Sequence, residues 1–304
     1  MRVINDRDEK AESTQVDIFA VMAHGLFCAV GFAAQILGPL PVIGSYAKLS
    51  EPWPKVAALL GAVLALTLFQ RPPMVVFILF GFSLFVADSL WRGVPVLRLV
   101  LTSMIVAAAL GVASLFLFAG LQRLGVPAFY TQIVDSLYEQ AVLVSKALSV
   151  NQADDGEMLR NYFRFQGPFA YLSMAVLSLW MSVGVATHFG WIPKGHAYSS
   201  EKLREFRMPT WFSVMFGALF VAELLLGNRV PYLLDGVFII TTAILFIPGT
   251  ITISDILHRR KVPSGQRTML YCFAVVLGFY FVLLMGAVAP WIRRRPINQL
   301  EGVQ

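Results

Sequence analysis

Glu223 and Asp235 stand in apolar sequence on either side of the turn Gly227-Asn228-Arg229, with the cation of Arg229 between them. A charge in apolar surroundings is costly unless it is paired, hydrogen-bonded or used. Two chemistries fit this spacing. The three residues can form a local ion-paired cluster, or the carboxylates can offer a polar contact to a small solute or a proton-linked site. The other charges inside apolar runs have a simpler reading. Asp88 lies four residues before Arg92, and Asp255 four residues before Arg259, the spacing of ion pairs on one helix face. His24 is alone in its run, where an imidazole is expected to hydrogen-bond a neighbouring helix.

No set of residues points to catalysis. His188 and His196 lack metal-ligand spacing, and Cys28 and Cys272 form no CxxC pair, so no metal site or cofactor is expected. There is no phosphate-binding glycine loop, no GxSxG and no HExxH, so the chain is expected not to be an enzyme. Without a phosphate cradle, any energy for transport would have to come from another protein.

The elements that must hold these residues are apolar helices. The chain has 304 residues, 57% hydrophobic and only 14% charged, with a mean hydropathy of +0.69. Eight long apolar stretches account for most of it: Val16 to Leu37, Val56 to Phe69, Met74 to Leu90, Leu99 to Leu121, Phe169 to Phe189, Trp211 to Leu226, Tyr232 to Leu257 and Met269 to Ile292. About 20 apolar residues make a helix that crosses the ~30 Å hydrocarbon core. The expected fold is all-α, a polytopic transmembrane bundle of about eight long spans forming one integral membrane domain over residues 1–304. No cleavable signal peptide is expected. Leu40 to Leu49, between Gly38-Pro39 and Pro52, is too short for a full crossing and reads as a half-helix or re-entrant piece.

Residues 127–165 are the one sizeable stretch outside the spans. Tyr130, Val134, Leu137, Ala141, Val144 and Leu148 alternate at four and three, which predicts an amphipathic helix. Asn151 to Gly156 reads as a turn, and Glu157 to Phe165 as a second helix, giving a helical hairpin on the membrane surface with its stripe on the bundle. A partner-binding coil is the alternative. The net charge of +6 sits in short loops between spans and implies orientation and contact with a lipid bilayer, with no nucleic-acid partner. Lys194 to Arg207 and Arg259 to Arg267 are basic and two spans apart, so both are expected inside, with the hairpin outside. Arg293-Arg294-Arg295 then falls outside, against the rule.

Two stripes of small residues occur at four-residue spacing: Gly25, Ala29 and Ala33 in the first span, and Ala57, Gly61 and Ala65 in the next. Such stripes let helix backbones approach closely, within the bundle or against a membrane protein partner or second copy. Pro248-Gly249 lies inside a span, where it would bend the helix or open a cavity.

The run Leu203 to Trp211, the segment from Gly249 to Pro263, the short Gly38-Pro39-Leu40-Pro41 element and the amphipathic hairpin together resemble the YybS-like family of bacterial multi-spanning proteins, most closely from Tyr198 onward. The resemblance implies a bacterial cytoplasmic (inner) membrane location. It also implies a distant likeness to the substrate-binding membrane subunits of energy-coupling-factor transporters, whose first-helix small-residue stripe meets the coupling subunit. The chain departs from the family pattern at Pro248, where the resemblance implies a Gln before the Gly. The family supplies no catalytic residues. The expected functions are therefore a small-solute-binding or permease-like subunit powered by a partner, or a non-transporting scaffold of a membrane complex.

Overall fold

A computed structural model describes residues 18–35, 37–147, 156–226, 230–263, 265, 266, 269, 270 and 278–291. The elements are α1 (Ile18–Ala34), α2 (Pro39–Lys48), α3 (Trp53–Thr67), α4 (Pro73–Trp91), α5 (Val96–Leu121), α6 (Val126–Ala147), α7 (Gly156–His188), α8 (Ser200–Glu205), α9 (Thr210–Leu226), α10 (Tyr232–Arg259) and α11 (Phe279–Val288). There is no strand among the described residues. Prolines at the first positions of α2, α3 and α4 start helices where the missing N–H costs nothing.

Among the described residues four helices are long and apolar enough to cross a membrane: Pro73–Trp91, Val96–Leu121, Leu159–His188 and Tyr232–Arg259. Four others, Ile18–Ala34, Trp53–Thr67, Thr210–Leu226 and Phe279–Val288, are apolar but shorter. Of the eight expected long spans, four reach crossing length among the described residues. The 15 residues of α3 reach only about 22 Å at ~1.5 Å per residue. Apolar sequence runs past the helix ends into turns, as at Leu68 and Phe69, and so overstates helix length.

The central helix is α10, with 72% of its apolar window inside the bundle against 17% for α5. Around it pack α7, α11, α9 and α8. A second group joins α1 to α3 and α4 to α5, and α2 bridges α1, α3, α4 and α7. Pro39 to Tyr46 of α2 are buried in an unbroken row. Ten residues of helix span about half the hydrocarbon core, so α2 is a half-length helix sunk in protein.

Close backbone approach holds both groups. A Cβ on Gly61 would run into Cys28 and stand 2.9 Å from the Gly25 carbonyl, so the small-residue stripes of α1 and α3 face each other. Gly25, Ala29, Ala57, Gly61 and Ala65 are buried, and Ala33 is partly so. Between α10 and α11, a Cβ on Gly249 would strike the Val282 carbonyl, and one on Gly286 would strike the Leu245 carbonyl. The α10 helix runs through Pro248 without a break. Its Thr252 hydroxyl donates to the Pro248 carbonyl at 2.7 Å.

The hairpin forms from α6 and the start of α7, which continues as a single 33-residue helix through Pro168. Pro168 has no N–H for the carbonyl four residues back, that of Arg164. The Tyr130 hydroxyl of α6 donates to that carbonyl at 2.7 Å. The expected stripe holds in part. Val134 is buried and Tyr130 and Ala141 are partly so, but Leu137 is 40% and Val144 59% exposed and do not lie on the bundle. α6 meets α7 through Tyr130, Asp135 and Tyr138, which leaves Leu137, Leu143 and Val144 uncovered. Leu148, the stretch 151–155, Arg229, Cys272 and Arg293 to Arg295 lie outside the described residues.

Candidate functional site

The two ends of the bundle differ. At one end the basic loops meet. The Tyr198 hydroxyl, fully buried, donates to the Val94 carbonyl at 2.6 Å, tying the 189–199 loop to the α4–α5 loop. Trp91 packs on His196 and on Tyr46, with ring centroids 6.1 and 6.2 Å apart. Arg92 pairs with Asp88 at 2.8 Å and Arg259 with Asp255 at 3.0 Å, as their spacing predicts. α8, opened by Ser199 accepting from the Lys202 N–H, packs on α10 at this end. His24 shares a hydrogen bond with Ser45 of α2 at 3.3 Å, the interhelical contact expected of it.

The opposite end carries the acidic pair. The helices α9 and α10 run antiparallel, with Phe216 stacked on Phe238 (5.5 Å) and Phe220 tilted against Phe238 (6.4 Å). One turn beyond those rings, Glu223 on α9 and Asp235 on α10 stand at the same level of the helix pair. Asp235 is not left to Glu223. Gln166 of α7, fully buried, donates from Nε2 to Asp235 Oδ2 at 2.6 Å and to the Tyr232 carbonyl at 2.9 Å. Phe165 stacks on Tyr232 at 4.8 Å beside it. Gly236 lets Phe169 lie directly on α10, since any Cβ there would enter the ring.

The polar atoms left over at this end share one character. Gln166 Oε1 and Glu223 Oε1 are buried and have no hydrogen-bond partner. The amide cannot be turned to change this, because its NH2 must face the two acceptors it already serves. Both orphan atoms are therefore acceptors, next to a second carboxylate.

Sequence reasoning places Glu223 and Asp235 together and misses Gln166. The segment Gln166-Gly167-Pro168 reads as a connection, because a proline ordinarily marks a helix boundary. An amide two residues before a proline in an otherwise apolar run is the available signal. Arg229, the third member of the expected cluster, lies outside the described residues.

Two cavities lie on the same helices, neither lined by Gln166, Glu223 or Asp235. Below the acidic pair, an open groove of about 720 Å3 runs between α7, α9, α10 and α11, lined by Phe216, Phe220, Phe238, Phe279 and Thr242. Ser173, 6% exposed, also lines it, and its hydroxyl has no partner. A second, polar cleft of about 590 Å3 lies inside the hairpin. In it Arg160 pairs with Asp135 at 3.5 Å and lies over the Tyr138 ring at 4.8 Å. Among the described residues no group of three or more His, Cys, Asp or Glu is placed to hold a metal ion.

No curated protein and no solved structure matches the chain. One family model does, over residues 17–288, and its description, a predicted membrane protein, agrees with the apolar helices seen here. The chain belongs to this family of predicted membrane proteins, DUF2232.

Proposed function

We propose that this protein is a multi-pass subunit of the bacterial cytoplasmic membrane that binds a small solute at Gln166, Glu223 and Asp235, and that any transport it supports is powered by a partner. All eight apolar helices cross in this reading, with the end holding Arg92, Lys202 and Arg259 inside by the positive-inside rule and the acidic end outside. One observation carries it: buried acceptors without donors, Gln166 Oε1 and Glu223 Oε1, beside Asp235. Groups left this way at membrane depth cost several kcal/mol, roughly, unless something arrives to satisfy them. The scaffold alternative leans on the small-residue stripes, and those are engaged with each other between α1 and α3. The YybS-like resemblance, through its likeness to substrate-binding membrane subunits, points the same way.

The test is a thermal-unfolding screen of the purified protein in nanodiscs against pooled water-soluble metabolites. A solute that stabilises the wild type and not Glu223→Gln supports the reading. Absence of any such solute, or stabilisation that survives Glu223→Gln, rejects this site.

A further inference from the structure

We propose that the solute is an arylalkyl primary amine, its ammonium on Glu223, Asp235 and Gln166 and its apolar body in the aromatic groove beneath them. The inference rests on the solute-binding reading and adds the chemical class.

The head group follows from the atoms. Two carboxylates stand at the same level of α9 and α10, with no cation bonded to either among the described residues. The buried Gln166 Oε1 and Glu223 Oε1 both lack a donor. A neutral alcohol brings a single O–H and leaves the carboxylate pair uncompensated. A carboxylate or phosphate would add to the repulsion. A primary ammonium carries three donors and a positive charge, and a charge-assisted hydrogen bond is the strong kind.

The body follows from the helix register. Glu223 is three residues past Phe220 on α9, and Asp235 three residues before Phe238 on α10, one turn in each case. Gln166 is two turns before Ser173 on α7. All three helices therefore run from these residues toward the groove, whose lining begins one to two turns further along and includes none of the three. The groove walls are phenyl rings, and their faces favour an aromatic or alkyl body and tolerate a nearby cation. The acidic pair, one turn from Phe220 and Phe238 in its lining, favours a cationic amphiphile over a plain lipid tail.

The probe is 2-phenylethylamine, compared with 2-phenylethanol and 3-phenylpropionate, on the full-length protein in nanodiscs of neutral lipid. The amine is expected to raise the unfolding temperature saturably, while the alcohol and the acid do not. Glu223→Gln and Asp235→Asn should each weaken the amine by about ten-fold or more. Should a variant fail to fold, Phe238→Leu reports on the groove with the head group intact and is expected to weaken binding less. The amine and alcohol comparison on the wild type needs no variant. Equal shifts by amine and alcohol, or no saturable shift by the amine, overturn the inference. If the metabolite screen instead yields a neutral or anionic solute lost in Glu223→Gln, the amine assignment falls and the solute-binding reading stands.

Discussion

Gly249→Ala should destabilise the bundle although alanine is the better helix former. In the interior of α10 the substitution gains about 0.5–1 kcal/mol of intrinsic helix propensity. Against this stands the α11 backbone: the new Cβ meets the Val282 carbonyl oxygen, and the carbonyl carbon lies 3.0 Å away. A backbone group cannot rotate aside as a side chain can, so the helices must separate. Helix separation also disturbs the reciprocal contact of Gly286 with Leu245. Overpacking of this kind costs about 1–3 kcal/mol, and more where packing between two helices is lost along its length. Gly217→Ala is the control. It lies on the exposed face of α9, and a methyl group added there would have nothing within 4 Å, so only the propensity gain remains. The propensity gain is common to both, so the two variants should differ by the overpacking cost, about 1–3 kcal/mol or more, with Gly249→Ala the less stable. Gly25→Ala should fall between them, since its Cβ meets the movable Leu60 side chain. Unfolding in nanodiscs followed by tryptophan fluorescence reads all three. Equal stability of Gly249→Ala and Gly217→Ala would refute the α10–α11 crossing.

Three further outcomes are expected. Tyr130→Phe removes the donor to the Arg164 carbonyl that Pro168 leaves free; it should cost about 1 kcal/mol and increase proteolysis between α6 and α7, and unchanged cleavage would count against that bond. Burial raises the Tyr130 hydroxyl above its ordinary value of 10.0, so the folded state holds this proton more tightly than the unfolded one. Its contribution is full below pH ~10 and is lost as pH rises beyond that. Gln166→Leu removes both hydrogen bonds to α10 and leaves Asp235 Oδ2 without its donor; a loss of about 2–3 kcal/mol is expected by the same unfolding assay, and a neutral effect would show that Asp235 does not depend on α7. Gln132 and Glu201 are exposed, on α6 and α8; as cysteine variants lacking Cys28 and Cys272, the first should react with an impermeant thiol reagent on intact cells and the second should not, and the reverse pattern would invert the orientation.

Much of the fold is legible in the sequence because a membrane imposes a simple demand. Helices there must be apolar over a set length, and Met74 to Leu90 and Tyr232 to Leu257 announce themselves in that way. The half-length α2 is legible from its flanking prolines. Helix ends are not, because apolar residues such as Leu68 and Phe69 belong equally to turns at the interface. The pairs Asp88–Arg92 and Asp255–Arg259 are local and follow from spacing alone. Gln166 meets Asp235 across 69 residues, and Gly249 meets Val282 between two helices; one chain's periodicity holds no record of such partners. The small-residue stripes show that α1 and α3 will be approached closely, without showing that they approach each other.

The central claim is that buried acceptors on α7, α9 and α10 form a site for a solute. An experimental cryo-EM map of the full-length protein, purified in nanodiscs with 2-phenylethylamine present, tests it most directly. Density touching Gln166 Oε1 and Glu223 Oε1 and extending between Phe220 and Phe238 is the predicted result. A map with Glu223 turned to lipid, away from Asp235, and no density at Gln166 would contradict it.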